Sequence, residues 1–184
     1  MALWIILIIV VAIIGFVISV YNGLVRSKMN VENAWSQIDV QLQRRFDLIP
    51  NFVETVKGYM SHEKETLEKI TELRTSWANA SSVNDKIEID NQISSALKTI
   101  MAVSENYPDL KANQNFMKLS EELTNTENKI SFSRQFYNDT VTIYNTKLQA
   151  FPSNIIAGMF NFTRSELFKT DEASRQNVKV DFGN

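Results

Sequence analysis

The sequence predicts an all-α protein in which an N-terminal transmembrane helix continues into an antiparallel four-helix bundle of long helices, followed by a short apolar C-terminal segment. Three observations predict this class. The first twenty residues are almost wholly apolar, apolar side chains then recur at steps of three and four, and only three prolines and five glycines interrupt 184 residues. We expect an anchor with its juxtamembrane start over residues 1–25, a cytoplasmic bundle over 26–151, and a short apolar segment with a tail over 152–184.

Composition excludes several classes of function. The net charge is −2 with 22% charged residues, whereas a nucleic-acid-binding surface needs a basic excess. Cysteine is absent, which excludes disulfides, thiol nucleophiles and cysteine-ligated metals. His62 is the single histidine, and Thr66 stands where a zinc-protease helix would carry its second histidine. We therefore expect no catalytic residue, no cofactor, no metal and no nucleic-acid partner.

Residues 1–20 form the expected membrane anchor. They carry no charged side chain, and twenty helical residues span about 30 Å, the thickness of the hydrocarbon core. Aromatic residues stand near both ends of this run, where interfacial aromatics belong. The alternative is a cleaved signal peptide, which the missing basic start and the missing small-residue cleavage site disfavour. The side chains expected in the span include Leu3, Trp4, Gly15, Ser19 and Tyr21.

The charges that flank the span predict its orientation. Arg26 and Lys28 follow it directly, while nothing basic except the amino terminus precedes it, so we expect the N-terminus outside and the bundle in the cytoplasm. Gly15, Ser19 and Gly23 recur every four residues and form a helix face that a second span could approach closely, although small residues are common in spans. The expected partners are therefore the lipid bilayer and further copies of the chain.

Four amphipathic helices are predicted after the anchor, and the first boundary between them is ambiguous. No capping residue separates the anchor from the first helix, so the two are expected to be continuous. We prefer a corner at residues 46–50, with Asp47 capping the second helix and Pro50 in its first turn. The competing interpretation is a single rod that is kinked at Pro50.

Later boundaries are marked more clearly. The polar run 79–84 should end the second helix, with Asn84 or Asp85 capping the third, and Tyr107-Pro108-Asp109 should end the third. The fourth helix is expected to be the longest, at about 40 residues by its apolar period.

Three charged residues fall on or beside the apolar stripes. Glu127 and Arg134 stand seven residues apart on the fourth helix, and Arg45 lies close to the stripe of the first. Charges that are buried there must be paired, because an unpaired buried charge costs several kcal/mol. We expect an ion-pair network that fixes helix register; the alternative is a polar site for a partner or small ligand.

Residues 153–162 read SNIIAGMFNF and carry no charge. We expect them to cap the end of the bundle or to dip into the membrane interface. A corner at 46–50 would return this segment to the membrane-proximal end, whereas a rod kinked at Pro50 would leave it far from the bilayer. The side chains concerned are Ile155, Ile156, Met159, Phe160 and Phe162.

Motifs along the whole chain resemble those of the LemA family. They are YN-x-LV at 21–25, V-x-x-AW-x-x-IDVQL-x-RR-x-DLIPN-x-VE-x-VKGY at 31–59, TENKI-x-F-x-RQ-x-YND-x-V-x-YN at 126–145, FPSNIIAGMF at 151–160 and V-x-V-DF at 178–182. The resemblance implies a bacterial single-pass membrane protein with an antiparallel long-helix bundle on the cytoplasmic side. It implies no established enzymatic activity, cofactor or catalytic residue, and it suggests membrane zinc proteases or envelope proteins as neighbours.

The leading hypothesis is a membrane-anchored interaction or scaffold protein of the bacterial cell envelope that self-associates or presents a surface to other envelope proteins. One alternative is an adaptor or regulator of a membrane protease or another envelope enzyme. The other is a ligand-binding protein that uses the polar seam of the bundle.

Overall fold

The computed structural model describes residues 1–168, which form helices and contain no strand. The predicted all-α class is therefore confirmed for this part of the chain, while the predicted V-x-V-DF segment at 178–182 lies outside the described residues. A short 3-10 turn follows the third helix. The helices are α1 (Ala2–Lys57), α2 (Lys64–Asn79), α3 (Val83–Val103), α4 (Pro108–Lys111), α5 (Gln114–Gln149) and α6 (Ser153–Met159).

Helix α1 carries the apolar start of the chain and continues far beyond it. It runs for 56 residues without interruption, as expected from the missing cap between the anchor and the first soluble helix. By length and composition it can cross a membrane, and the rest of the described chain buries none of its most apolar stretch. The N-terminal part of α1 is therefore a candidate membrane span.

The predicted corner at residues 46–50 is wrong. Pro50 lies inside α1, which continues to Lys57, so the alternative of one rod through this proline is right. Asp47 caps no helix, and its carboxylate instead accepts a hydrogen bond from Gln43 Nε2 at 2.9 Å within α1. As a result α1, and not the predicted fourth helix, is the longest helix, since α5 has 36 residues.

A contact from α2 explains why the helix survives Pro50. Proline has no backbone N–H, so the carbonyl of Phe46, four residues earlier, loses its helical donor. Arg74 of α2 donates its Nε–H to this carbonyl at 3.2 Å. A side chain 28 residues away thus replaces the missing helical bond, and the proline does not end the helix.

The first turn of the chain lies at residues 58–63 instead. There the N–H groups of Tyr59 and Met60 both bond to the carbonyl of Val56, at 2.9 and 3.0 Å, which closes the last turn of α1. The predicted second helix is consequently divided. Its first part belongs to α1 and its second part is α2.

The loop between α2 and α3 follows the prediction, but the cap does not. α2 ends at Asn79, within the predicted polar run. The residue that caps α3 is Ser82, whose backbone is extended and whose Oγ accepts a bond from the N–H of Asp85 at 3.0 Å. Asn84 and Asp85 lie inside the helix because the serine precedes them in the capping position.

Both long helices bury a residue at every seventh position. A seven-residue repeat keeps one narrow seam of a helix facing its neighbour. Arg45 occupies one of these positions, which are otherwise apolar or tyrosine. The residues are Leu24, Val31, Ile38, Arg45 and Phe52 on α1, and Phe116, Leu123, Ile130, Tyr137 and Tyr144 on α5.

The described chain divides into two compact units. The first unit contains residues 1–41 and 130–167, and the second contains residues 42–129 together with Phe168. In the first unit, Tyr137 on α5 packs on Trp35 of α1, with ring centroids 5.9 Å apart.

In the second unit, the segments of α1 and α5 run in opposite directions. Arg44 on α1 pairs with Glu122 on α5, and eight residues further along α1 the ring of Phe52 stacks on Phe116 at 5.9 Å. Helix α2 returns along α1, since Trp77 near its end stacks on Phe46 at 4.2 Å.

Candidate functional site

The second unit contains a buried network of charged side chains centred on Arg45. This arginine is only 1% exposed and Asp90 is fully buried. The guanidinium donates from Nη1 to Asp90 Oδ1 at 2.6 Å and to Ser94 Oγ at 2.7 Å, and from Nη2 to the carboxylate of Glu127. One side chain of α1 therefore joins α3 and α5.

The geometry explains why an arginine occupies this position of the seam. A planar guanidinium presents several donors at fixed angles, so it can satisfy two carboxylates and a hydroxyl at once, which a lysine ammonium matches poorly. Ser94 also lies 3.3 Å from the Glu127 carboxylate. Each buried charge thus faces an opposite charge, and removing the arginine would take away the guanidinium from which Asp90 and Glu127 accept hydrogen bonds.

The structure brings together two of the three charged residues that the sequence singled out. Arg45 and Glu127 form an ion pair, whereas Arg134 is half-buried and belongs to the first unit. Sequence reasoning missed Asp90. A signal was present, because Asp90 stands three residues after Ile87 and three before Ile93 on the buried stripe of α3.

Arg44 provides a contrast next to Arg45 in the sequence. Its Nη2 lies 2.6 Å from Glu122 of α5, but the side chains are 51% and 47% exposed. Solvent and salt screen such a pair, and exposed pairs contribute between about 0 and 1 kcal/mol. Of these two adjacent arginines, Arg45 is therefore the one expected to contribute to stability.

A cavity of about 200 Å³ lies beside the buried network. Arg45, Ser94 and Glu127 line it together with apolar side chains that include Leu97 and Leu123. Ligand sites usually occupy about 300–1,000 Å³, and the guanidinium is already engaged by two carboxylates. In the described part of the chain, no group of three or more His, Asp or Glu side chains is placed to hold a metal. The arrangement supports a structural role.

The turn that replaces the predicted corner is fixed by a tyrosine. Tyr107 donates its hydroxyl to both carboxylate oxygens of Glu63, at 2.9 and 3.1 Å. This hydrogen bond, with smaller contributions from burial and from the carboxylate charge, raises the pKa of Tyr107 above its usual value. The contact ties the residues before α4 to the turn at 58–63.

Two tyrosines of α5 hold the segment that follows α6. Tyr137 donates to the carbonyl of Glu166 at 3.0 Å, and Tyr144 donates to the carbonyl of Thr163 at 2.9 Å. Burial raises the pKa of both phenols, with a further contribution from the charge of Glu166 at Tyr137 and of Glu32 at Tyr144.

Helix α6 packs on α1 where the apolar run of that helix ends. Ile156 and Ala157 are buried with Leu24, and Val17, Val20, Tyr21, Leu148 and Phe162 pack around them. The expectation that a rod through Pro50 would carry this segment far from the bilayer is therefore wrong. The predicted first turn does exist, but it lies at residues 58–63 and not at 46–50.

The remaining side chains predicted in this segment point outward. Ile155 is 54% exposed, Met159 67% and Phe160 49%. The rings of Phe160 and Phe162 nevertheless reach Tyr21, with centroid distances of 4.7 and 5.7 Å. One side of α6 thus packs on α1, and the other side presents apolar surface.

The residues predicted within the span are largely uncovered. Leu3 and Trp4 are exposed, Ser19 is exposed, and a side chain added at Gly15 would meet nothing within 4 Å. Tyr21 is half-buried through its contacts with the aromatic rings near α6.

Helix α5 carries a second apolar stripe that sequence reasoning missed. Phe132 is 74% exposed, Phe136 52% and Ile143 57%. These three residues lie within about 40° of one another around the helix. They face away from the buried Tyr137 and Val141. The sequence alone assigned one stripe to this helix and did not weigh these residues.

Comparisons with known proteins agree with the motifs. The model of the LemA family matches residues 34–182. Protein LemA of Metamycoplasma hominis is 30% identical over 85% of this chain and 72% of its own length. Magnetosome protein MamQ 2 of Paramagnetospirillum magneticum is 24% identical over 89% and 70%, and magnetosome protein MamQ of Magnetospirillum gryphiswaldense is 22% identical over 86% and 68%. The chain belongs to the LemA family.

Proposed function

We propose that this protein is a membrane-anchored interaction protein of the bacterial cell envelope that has no catalytic activity of its own. The start of α1 crosses the membrane once with the N-terminus outside, and the following helices form an antiparallel four-helix bundle in the cytoplasm. The orientation rests on Arg26 and Lys28 directly after the span. Opposite chain directions within the second unit support the bundle.

The observation that carries the proposal is the outward stripe of Phe132, Phe136 and Ile143. Exposed apolar residues that stand singly are normal, whereas a row on one helix face marks a contact surface. The stripe lies opposite the side of α5 that packs within residues 1–168, so the packing of that side leaves it uncovered. Phenylalanines at such a surface can anchor a partner.

The position of the stripe favours a protein partner over lipid. Leu148 of the same helix packs near Leu24 at the end of the apolar run. Phe132 lies sixteen residues before Leu148 on α5, about 24 Å away at the helical rise. The first partner we expect is a second copy of the chain, held close by its anchor in the same membrane; other envelope proteins are the second.

Crosslinking in native membranes tests this proposal. We compare the wild-type chain with Phe132→Gln/Phe136→Gln and with the control Met117→Gln, because Met117 is an exposed apolar residue on the same helix in the second unit. The proposal predicts specific crosslinked products that the double variant reduces severalfold and the control leaves unchanged. Recovery of monomer alone, with no specific co-purifying protein, would contradict it.

The same experiment can locate a contribution from the anchor. Gly15→Leu/Ser19→Leu fills the small face of the span, where a Cβ added at Gly15 would meet no other part of residues 1–168 within 4 Å. If spans associate through this face, the pair of substitutions weakens the oligomer. An oligomer that is unchanged by these substitutions but lost in the phenylalanine variant assigns association to α5 alone.

A further inference from the structure

Helix α6 is fixed beside the last turns of the span. The buried residues Ile156 and Ala157 form one cluster with Leu24, and Val17 and Val20 pack against it. Counted from Ala2 at 1.5 Å per residue, Val17 lies about 22 Å along the helix and Leu24 about 33 Å, and the hydrocarbon core is about 30 Å thick. The cluster therefore straddles the level at which acyl chains give way to headgroups.

The side of α6 that faces away from α1 is apolar and uncharged. Ile155 is 54% exposed and Met159 67%, and Phe151 just before the helix is 80% exposed. Phe160 lies at the edge of this side, since its ring is 49% exposed and also contacts Tyr21 of α1. No charged residue occurs between Lys147 and Arg164, and both of these cations are exposed. An apolar surface bracketed by cations is typical of a segment that lies in the membrane interface.

We propose that Phe151, Ile155, Met159 and Phe160 form a second membrane contact, inserted at the boundary between headgroups and acyl chains in the leaflet that holds the carboxyl-terminal end of the span. The occupant of this apolar surface is lipid. The surface is continuous with the span, because the ring of Tyr21 touches both Phe160 and Phe162. Aromatic rings at this depth are favoured in the headgroup region. The inference rests on the membrane anchoring in the proposed function.

The consequence is a restrained orientation. A single helix leaves the body that it carries free to rotate about the bilayer normal and to tilt. A second contact beside the helix, held by the Ile156 cluster, limits the tilt of the first unit relative to the membrane plane. A surface such as the Phe132 stripe would then be presented at a fixed height above the bilayer.

Fluorescence quenching in the full-length chain tests the contact. Because the chain contains no cysteine, single cysteines at Met159→Cys and Ile155→Cys can be labelled with an environment-sensitive dye. Met117→Cys, at a residue that is 51% exposed, is the aqueous control, and Ile13→Cys in the span is the insertion control. Each variant is reconstituted into vesicles of phosphatidylcholine and phosphatidylglycerol that contain lipids with a nitroxide near the headgroup or deep in the acyl chain. Circular dichroism verifies helicity.

The proposal predicts that the dyes at 159 and 155 are quenched severalfold more than the dye at 117, and more by the shallow nitroxide than by the deep one. Quenching at 13 with none at 159 and 155 would overturn the proposal while leaving the anchor intact. A dye at 159 that is shielded from aqueous iodide but not quenched by lipid would assign the surface to a protein partner and also overturn it. Absence of quenching at 13 would remove the anchor itself, and with it both the inference and the membrane part of the proposed function.

Discussion

The two units of this chain differ in their buried charged residues and in their exposed apolar residues. Among the described residues, the second unit buries the charged side chains Arg45 and Asp90 and exposes only three large apolar residues, Tyr59, Val83 and Met117. The first unit buries no charged residue and exposes the apolar span, the Phe132 stripe and the outer side of α6. Buried charges thus distinguish the second unit, and exposed apolar surface distinguishes the first.

The substitution with the largest expected effect on stability replaces Arg45, the centre of the buried network. Arg45→Met should lower the free energy of unfolding by about 3–5 kcal/mol, because the buried carboxylate of Asp90 and that of Glu127 lose the guanidinium that pairs with them. Arg44→Met, at the adjacent exposed pair, should lower it by at most about 1 kcal/mol. Urea unfolding followed by circular dichroism measures both.

A combined variant separates the pairing from simple loss of packing. Replacing the ion-pair network as a whole, with Arg45→Met, Asp90→Leu and Glu127→Leu, should recover most of the lost stability, since apolar side chains of similar volume can substitute for a buried ionic cluster. Equal effects at Arg44 and Arg45 would show that the network does not specify the second unit.

A smaller effect is expected at the proline of α1. Arg74→Met should lower the free energy of unfolding by about 1 kcal/mol, because the carbonyl of Phe46 loses its one substitute donor. In a Pro50→Ala background the backbone N–H returns, and the same substitution should cost almost nothing. A double-mutant cycle from denaturant unfolding gives the coupling. Additive effects would mean that Arg74 does not compensate for the proline.

The course of α1 shows which parts of the fold the sequence could predict and which it could not. The apolar run and the stripes at helical spacing predicted the class, the continuous start of α1 and the loop after Asn79, because burial and turn chemistry are local. The route through Pro50 depends on Arg74, which is 28 residues away, so local rules favoured a corner that does not form.

The candidate functional residues also include some that the sequence could predict and some that it could not. Arg45 and Glu127 could be predicted because a charge on an apolar stripe must find a partner. Asp90 carried the same signal on α3, three residues from Ile87 and from Ile93, but it was not weighed. The Phe132 stripe could not be judged from the sequence, since two apolar faces on one helix give no indication of which face the chain itself covers.

Methionine oxidation in intact membranes tests the difference between the units most directly. Met159 in the first unit is 67% exposed and Met117 in the second is 51% exposed. A water-soluble oxidant that does not enter lipid, added to inside-out membrane vesicles, should therefore oxidise Met159 at least as fast if nothing outside the chain covers it. The account predicts the reverse order in the native membrane, with Met159 protected by lipid and Met117 oxidised freely. Faster oxidation of Met159 would contradict the claim that the first unit is built to be covered by its surroundings.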